Sequence, residues 1–287
     1  MWRAATLLLA LALGIFNPIF AVWSPLIRWI LVFMLWTGFL GMPLSTLAPR
    51  RSHLRLLAAW SVFPALGWLL LRPLGPEAAV AGFLVGATPT ATAAPTITRL
   101  LGGDAGYVSV SFLGSNLLAM VLIPSALVLM GSPLPHGLFR FFVENIAVVA
   151  GPLVLAAMAH RIGLAERLSP LLSKGVFPLW LVALVLASAK TSAFLRQSAQ
   201  PWGVVLGIAF VSGLLCAGQF LVGRRMGGTE HALEAAQSLG QKNTMLTLWL
   251  GLATFGPLAA LGPATYVLWH NLWNAIQMAR TKRFVRN

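Results

Sequence analysis

Charged residues are scarce in this sequence. Only 9% of the 287 residues are Asp, Glu, Lys or Arg, and just six are acidic. Soluble domains carry about 25% charged residues, so the scarcity excludes an ordinary water-soluble domain. Because 58% of the residues are hydrophobic, we predict an all-α polytopic membrane protein whose partner is the lipid bilayer. In lipid, helices satisfy their own backbone hydrogen bonds.

Cysteine is nearly absent as well, and the sequence lacks the residue patterns that are typical of enzyme active sites. Cys216 is the single cysteine, which excludes an intramolecular disulfide. The sequence holds no metal-ligand spacing, phosphate-binding loop or nucleophile–base pair, so we expect no enzyme, no metal and no cofactor. The net charge of +14 does not indicate a nucleic-acid partner, because the basic residues are spread between apolar runs and form no single stripe.

Long apolar runs recur along the whole chain. A bilayer core needs about 20 apolar residues per helix, and on that measure we predict ten transmembrane helices in one unit, residues 1–287. They lie near residues 4–22, 26–44, 54–72, 78–99, 105–130, 138–160, 175–192, 202–222, 230–253 and 256–279.

The basic residues predict the orientation of these helices. Fourteen of the 20 Lys and Arg fall in loops on one side and five on the other, with Lys242 inside a helix. Lys and Arg concentrate in cytoplasmic loops. We therefore expect both termini in the cytoplasm and a multi-pass protein of the cell inner (plasma) membrane.

The fourth and ninth predicted helices contain helix-breaking residues at mid-depth. Pro89 and Pro95 lie in the fourth, and Gly240 lies in the polar stretch 238–243 of the ninth. Proline removes a helix hydrogen bond, and paired breaks in the two halves of a chain indicate inverted repeats. We predict two five-helix inverted repeats with broken helices 4 and 9. The alternative is that these residues only kink ordinary helices.

A lysine, Lys242, lies in the same polar stretch of the ninth helix. A lysine at the bilayer centre costs roughly 2.5–3.5 kcal/mol on insertion scales, so a lysine retained there indicates a function. The alternative is a displaced helix boundary, with the ammonium reaching the membrane surface on its long stem.

Several motifs resemble the bile acid:sodium symporter family in its bacterial-type ten-helix form. They are the run 255–261, Trp269-His270-Asn271, Thr92 with Gly103-Asp104, and Gly240 with Asn243. The resemblance implies a panel domain of helices 1, 2, 6 and 7 (about 4–44 and 138–192) and a core domain of helices 3–5 and 8–10 (about 54–130 and 202–279). Helices 4 and 9 would cross at their breaks inside the core.

The resemblance also implies an elevator mechanism and the position of a substrate site. The residues that match substrate-side positions of the family are Thr92, Asn243, His270 and Asn271. For His270, an equally open alternative is an interhelical hydrogen bond that only ties its helix to a neighbour.

The sequence departs from the family where its sodium-coupled members bind sodium. Their Ser-Asn pair on helix 4 corresponds to Ala94 and Pro95 here, and their Glu and Gln on helix 9 correspond to Ser238 and Lys242. A hard cation needs several oxygen ligands, preferably with a carboxylate, and an ammonium repels it. We therefore expect no sodium binding at these positions.

We hypothesise that Lys242, with Ser238 and Gln241 beside it, stands in for the sodium ion. Its ammonium would donate to backbone carbonyls and threonine hydroxyls at the crossing as a permanent cation. Because burial disfavours the charged form of an amine, Lys242 could instead act as a proton carrier. Glu234 could pair with Lys242 or cap the start of its own helix.

The sequence thus predicts a sodium-independent secondary transporter of a small organic anion that works by elevator-type alternating access. Protons are a candidate second partner. One alternative is an anion or weak-acid exporter of the same fold, and another is a non-transporting membrane sensor or scaffold. Polar residues retained on the cleft side, such as Thr92 and Asn271, favour transport.

Overall fold

The computed structural model describes residues 2–42, 47–131, 138–197 and 201–284. Within these residues the chain forms twelve α-helices, and its one extended pairing is an isolated bridge between Thr90 and Lys242. The helices are α1 (Trp2–Phe16), α2 (Leu26–Leu40), α3 (Arg51–Leu71), α4 (Pro76–Ala87), α5 (Ala94–Leu100), α6 (Ala105–Leu129), α7 (Leu138–Arg161), α8 (Ala165–Gln197), α9 (Trp202–Met226), α10 (Ala232–Gly240), α11 (Thr244–Thr254) and α12 (Pro257–Phe284).

Four helical stretches among the described residues are long and apolar enough to cross a membrane. They are Arg51–Leu74, Ala105–Leu129, Ala165–Lys190 and Trp202–Met226. Many large hydrophobic side chains point outward, including Leu129, Ile19 and Trp202, and such a surface suits contact with lipid rather than water. The fold is that of a helical, multi-pass membrane protein. The count of ten spans and the inverted repeats stay predictions.

Local signals set several helix boundaries. Gly75 adopts a φ of 113° directly before α4, a conformation open to glycine, and Pro76 starts the helix where no N–H is needed. Asp104 caps α6, because its Oδ1 accepts a hydrogen bond from Gly106 N–H at 2.7 Å. Each signal fixes the residue at which a helix begins.

Two predicted segments differ from the structure. The first, 4–22, is divided: α1 ends at Phe16, and Pro18 begins a short 3₁₀ helix that ends at Trp23, since proline cannot continue the α-helical hydrogen bonds. The seventh, 175–192, is only the middle of α8. Arg167 and Lys174 were expected in a loop, yet both lie in α8, because apolar length marks only the part of a helix that lipid surrounds.

The extreme termini, which we expect in the cytoplasm, include Met1 and residues 285–287, and these lie outside the described residues. Elsewhere, helix contacts form two sets. Helix α1 packs on α8, and α2 packs on α7 and α8, whereas α3 packs on α4 and α9, and α9 packs on α10 and α12. Contacts of α2 with α11, α6 with α7 and α8 with α12 connect the two sets.

Candidate functional site

The interruption between α4 and α5 lies against the interruption between α10 and α11. Ala91 N–H donates to the Gln241 carbonyl and Asn243 N–H donates to the Pro89 carbonyl, both at 2.8 Å. A broken helix inside a bilayer must find partners for its free backbone groups, because no water is available there. Each interruption supplies partners to the other. We call residues 88–93 together with 241–243 the crossing.

Thr90 is anchored at the crossing through all its polar groups. Its N–H donates to Ser115 Oγ at 3.0 Å, its carbonyl accepts from Asn116 Nδ2 at 3.0 Å, and its hydroxyl donates to the Ser238 carbonyl at 2.6 Å. Ser115 and Asn116 belong to α6 and Ser238 to α10, and all four residues are buried. Thr90 therefore ties the crossing to two further helices.

Other carbonyls of this region accept hydrogen bonds from side chains on α3 and α12. Trp60 Nε1 donates to the Thr88 carbonyl at 3.0 Å. The Tyr266 hydroxyl oxygen lies 2.8 Å from the Gly240 carbonyl oxygen and 3.0 Å from Gln219 Oε1, and its one proton serves one acceptor at a time. With these bonds, the carbonyls of residues 88, 89, 90, 238, 240 and 241 each face a donor within the protein.

Lys242 is buried in this region with an unpartnered amine. Its side chain is only 2% exposed, so the alternative in which the ammonium reaches the membrane surface is wrong. Nζ makes no hydrogen bond with any residue that the structure describes. A buried charge without a partner costs several kcal/mol, and an anion that reaches the amine would remove that cost.

Two expectations for Lys242 need correction. Its ammonium does not donate to the carbonyls of the crossing, since Nζ has no partner in the described residues and those carbonyls face other donors. Glu234 does not pair with it either. Glu234 Oε1 instead accepts the Asp104 N–H at 2.9 Å and so stabilises the loop before α6.

Of the predicted substrate residues, Asn243 and Thr92 lie at the crossing. Asn243 is buried, and its Nδ2 is 3.5 Å from Asn116 Oδ1. Thr92 packs against α2: a Cβ added to Gly38 would lie 2.7 Å from Thr92 Cγ2. Thr92 thus lies where the crossing meets the other set of helices.

His270 and Asn271 lie on α12. His270 is 1% exposed and packs edge-on against the Tyr266 ring, with centroids 5.5 Å apart. Neither nitrogen of the His270 ring has a hydrogen-bond partner among the described residues, so the interhelical hydrogen bond considered above is not formed there. Asn271 Nδ2 donates to the Val267 carbonyl of its own helix at 2.7 Å. No hydrogen bond in the described part of the chain joins the four predicted substrate residues to one another.

Ser238 lies near the end of α10, and Gln241 is the first residue of the interruption that follows. The Ser238 hydroxyl is buried and has no hydrogen-bond partner within the described residues. Gln241 Oε1 accepts from Asn274 Nδ2 of α12 at 2.6 Å. Gln241 is therefore oriented by α12, and neither side chain carries a negative charge that a cation could bind.

The predicted helix breaks lie at or beside the interruptions. Pro89 is in the first interruption, Pro95 is the second residue of α5, and Gly240 is the last residue of α10. A Cβ on Gly240 would collide with the ring of Phe220. Glycine at this position therefore lets the end of α10 approach α9 closely.

Three residues that build the crossing were not among the predicted site residues: Thr90, Asn116 and Tyr266. Asn116 could have been identified from the sequence. A polar amide inside an apolar helix is energetically costly in the membrane, so its presence indicates a structural or functional role. Thr90 could not be told apart from the threonines around it in the sequence. Tyr266 contributes a hydrogen bond between two helices, and no local sequence pattern predicts such a contact.

Parts of this chain are similar to known proteins. The model of the Sodium Bile acid symporter family matches residues 31–139, a region that runs from within α2 to the start of α7 and includes the first interruption. The chain is 27% identical over 229 residues to "Uncharacterized sodium-dependent transporter YocS" of Bacillus subtilis (strain 168), covering 75% of this chain and 68% of that relative. Together with the helical membrane fold, these two matches support the membership of this chain in the Sodium Bile acid symporter family and indicate a transporter of that type.

Proposed function

We propose that this protein is a sodium-independent secondary transporter of a small organic anion. The observation that carries the proposal is the buried, unpartnered amine of Lys242 at the crossing. The amine brings the positive charge that a sodium ion would otherwise bring. Unlike a sodium ion, it acts without coordinating the carbonyls around it.

Two features support independence from sodium. The carbonyls at the crossing already face donors from the protein, which leaves a cation few free oxygens. The side chains at the second interruption are neutral or basic, and Glu234, the nearest acidic residue before it in the sequence, is engaged by the Asp104 N–H. Sodium dependence is part of the name of the Bacillus subtilis relative, and we propose that this chain differs from it.

The charge of Lys242 supports an anion as the substrate. Helix α11 begins at Thr244, directly after Lys242 and Asn243, and the N-terminus of a helix carries partial positive charge. A carboxylate or sulfonate near this end would meet both the dipole and the amine. The polar side chains of Asn243 and Thr92 would orient it.

The two sets of helices support an elevator mechanism. In this proposal α1, α2, α7 and α8 form the panel domain, and the remaining helices form a core domain that moves past it with the crossing. The contact of Thr92 with Gly38 of α2 lies on that boundary. Ten spans in two inverted repeats complete the proposed topology.

A thermal-melting screen tests the proposal. Purified protein is heated with small carboxylates and sulfonates in sodium chloride or choline chloride of equal ionic strength. We expect an organic anion to raise the Tm equally in both salts, and Lys242→Gln to lose that shift. Lys190→Gln, which removes a lysine from α8, is the matched control and should keep it.

The outcomes separate the hypotheses. An anion that stabilises the protein at severalfold lower concentration in sodium overturns sodium independence. A parent protein that responds to no anion favours the scaffold alternative. Without any anion, a difference in Tm between the parent and Lys242→Gln that changes with pH around neutrality supports a lysine that carries a proton, whereas a difference that does not change with pH supports a permanent cation.

A further inference from the structure

A cavity lies beside the crossing, between α3, α6 and α10. Its volume is about 370 Å³, within the range of roughly 300–1,000 Å³ typical of small-molecule sites. Among the described residues its lining comes from these three helices, the segment before α3 and Thr90. No described residue of the panel helices proposed above lines it, so this cavity is separate from the proposed cleft between panel and core.

The walls of the cavity are apolar. They include Leu56 and Trp60 of α3, Val110 of α6 and Leu239 of α10. Gly114 of α6 opens the space further, because a Cβ added there would meet only a methyl group of Leu57, at 4.0 Å. A hydrocarbon chain fits such walls, since it gains the burial of its own apolar surface.

The two ends of the cavity are polar in different ways. At the mouth Arg51, the exposed first residue of α3, forms no ion pair with any described residue, whereas the neighbouring Arg50 pairs with Glu230. Deeper in the cavity the hydroxyls of Ser111 and Ser238 are buried and have no hydrogen-bond partner in the described part of the chain. Buried polar groups normally have partners, so these two hydroxyls point to a ligand.

We propose that this cavity binds a medium-chain carboxylate with a hydroxyl group at its far end. The carboxylate pairs with Arg51, the chain lies along Trp60 and Gly114, and the terminal hydroxyl bonds to Ser111 and Ser238. The length is set by α3, where Arg51 and Trp60 are nine residues apart, about 13 Å along the helix. Because Ser238 and Thr90 belong to both the cavity and the hydrogen bonds of the crossing, the ligand stabilises the crossing.

Thermal melting and native mass spectrometry of the purified protein test the site with four probes. ω-Hydroxydodecanoate has every proposed feature, dodecanoate lacks the terminal hydroxyl, dodecanol lacks the charge, and acetate lacks the chain. We expect one bound ω-hydroxydodecanoate and the largest rise in Tm with it. Acetate that shifts the Tm as much as the long-chain probes overturns the proposal.

The variants remove one feature each. Gly114→Leu fills the cavity and should abolish binding, whereas Gly151→Leu on α7, where an added Cβ meets nothing within 4 Å, should leave binding unchanged. Arg51→Gln should weaken binding about tenfold through loss of a charge-assisted bond. Equal binding by Gly114→Leu and the parent overturns the site.

Ser111→Ala keeps the test decisive if Gly114→Leu does not fold. The alanine variant should show a reduced preference for ω-hydroxydodecanoate over dodecanoate, and Ser111→Ala combined with Ser238→Ala should bind the two probes alike. A full preference for the hydroxylated probe in the double variant contradicts the proposal. Lys242→Gln, which should lose the response to small anions, should retain this binding. The proposed cavity site and the proposed transport function can therefore be contradicted independently of each other.

Discussion

Lys242 carries an amine on a side chain that is almost wholly buried, and Nζ has no hydrogen-bond partner in the described residues. Burial removes the hydration of a charge, and here no protein group replaces it, so the residue destabilises the resting protein. A destabilising group that is retained at a crossing of two broken helices indicates that it binds a partner there. In the function proposed above, the partner of Lys242 is an anion.

We predict that Lys242→Met leaves the protein as stable as the parent or more stable. Methionine keeps the length of the stem and removes a buried charge that has no partner to lose. The Tm of the two proteins, measured in the same detergent, checks this. A fall of more than about 4 °C, which corresponds to about 1–2 kcal/mol in a chain of this size, would show that the ammonium does bond to the crossing.

At the scale of single residues, the sequence was sufficient to single out Lys242 as a functional candidate. It was not sufficient to predict which groups surround the amine. A charge within an apolar run is visible without any structure, because its insertion cost depends only on composition and depth. The partners of Thr90 and Tyr266 lie 25 residues or more away along the chain. Such hydrogen bonds depend on which helices meet in the folded protein, and the sequence does not show this. The prediction that the carbonyls of the crossing accept hydrogen bonds from Lys242 was therefore wrong.

The two interruptions act as a single structural element. Their backbones exchange two hydrogen bonds, and Thr90 adds side-chain bonds from α6 and α10. Proline and glycine made both breaks predictable, because each weakens a helix locally. The antiparallel pairing of the two interruptions, three residues with three others, was not predictable. It requires both breaks to lie at the same depth and next to each other in the folded protein.

We predict that Thr90→Val lowers the stability of the protein by about 1–3 kcal/mol. Valine has nearly the shape of threonine, but it leaves the buried Ser238 carbonyl without its donor. Thr265→Val is the matched control, because within the described residues the Thr265 hydroxyl bonds to carbonyls of its own helix, at Leu261 and Gly262.

The Tm of both variants, measured under one condition, checks this prediction. Thr90→Val should melt clearly lower than Thr265→Val. Equal melting temperatures would mean that side chains at the crossing add nothing to its backbone pairing.

At the scale of the whole molecule, α3 and α9 run in opposite directions. At one end Arg50, before α3, pairs with Glu230, after α9. At the other end Leu74, after α3, lies where a Cβ on Gly207 would come within 2.6 Å of it. The two helices are the third members of the proposed repeats, and inverted repeats require them to cross the membrane in opposite senses.

Cysteine labelling in intact cells tests this arrangement. In a Cys216→Ser background, single cysteines replace Pro49 and Thr229 at one end of the pair and Pro73 and Pro201 at the other; all four positions are exposed and uncharged, so the basic residues that set the orientation stay in place. Because loops rich in Lys and Arg face the cytoplasm, a membrane-impermeant maleimide should label the cysteines at 73 and 201 directly. The cysteines at 49 and 229 should react only after the cells are permeabilised. Labelling of 49 and 229 alone would reverse the orientation, and joint labelling of 49 with 201 would contradict the inverted repeats.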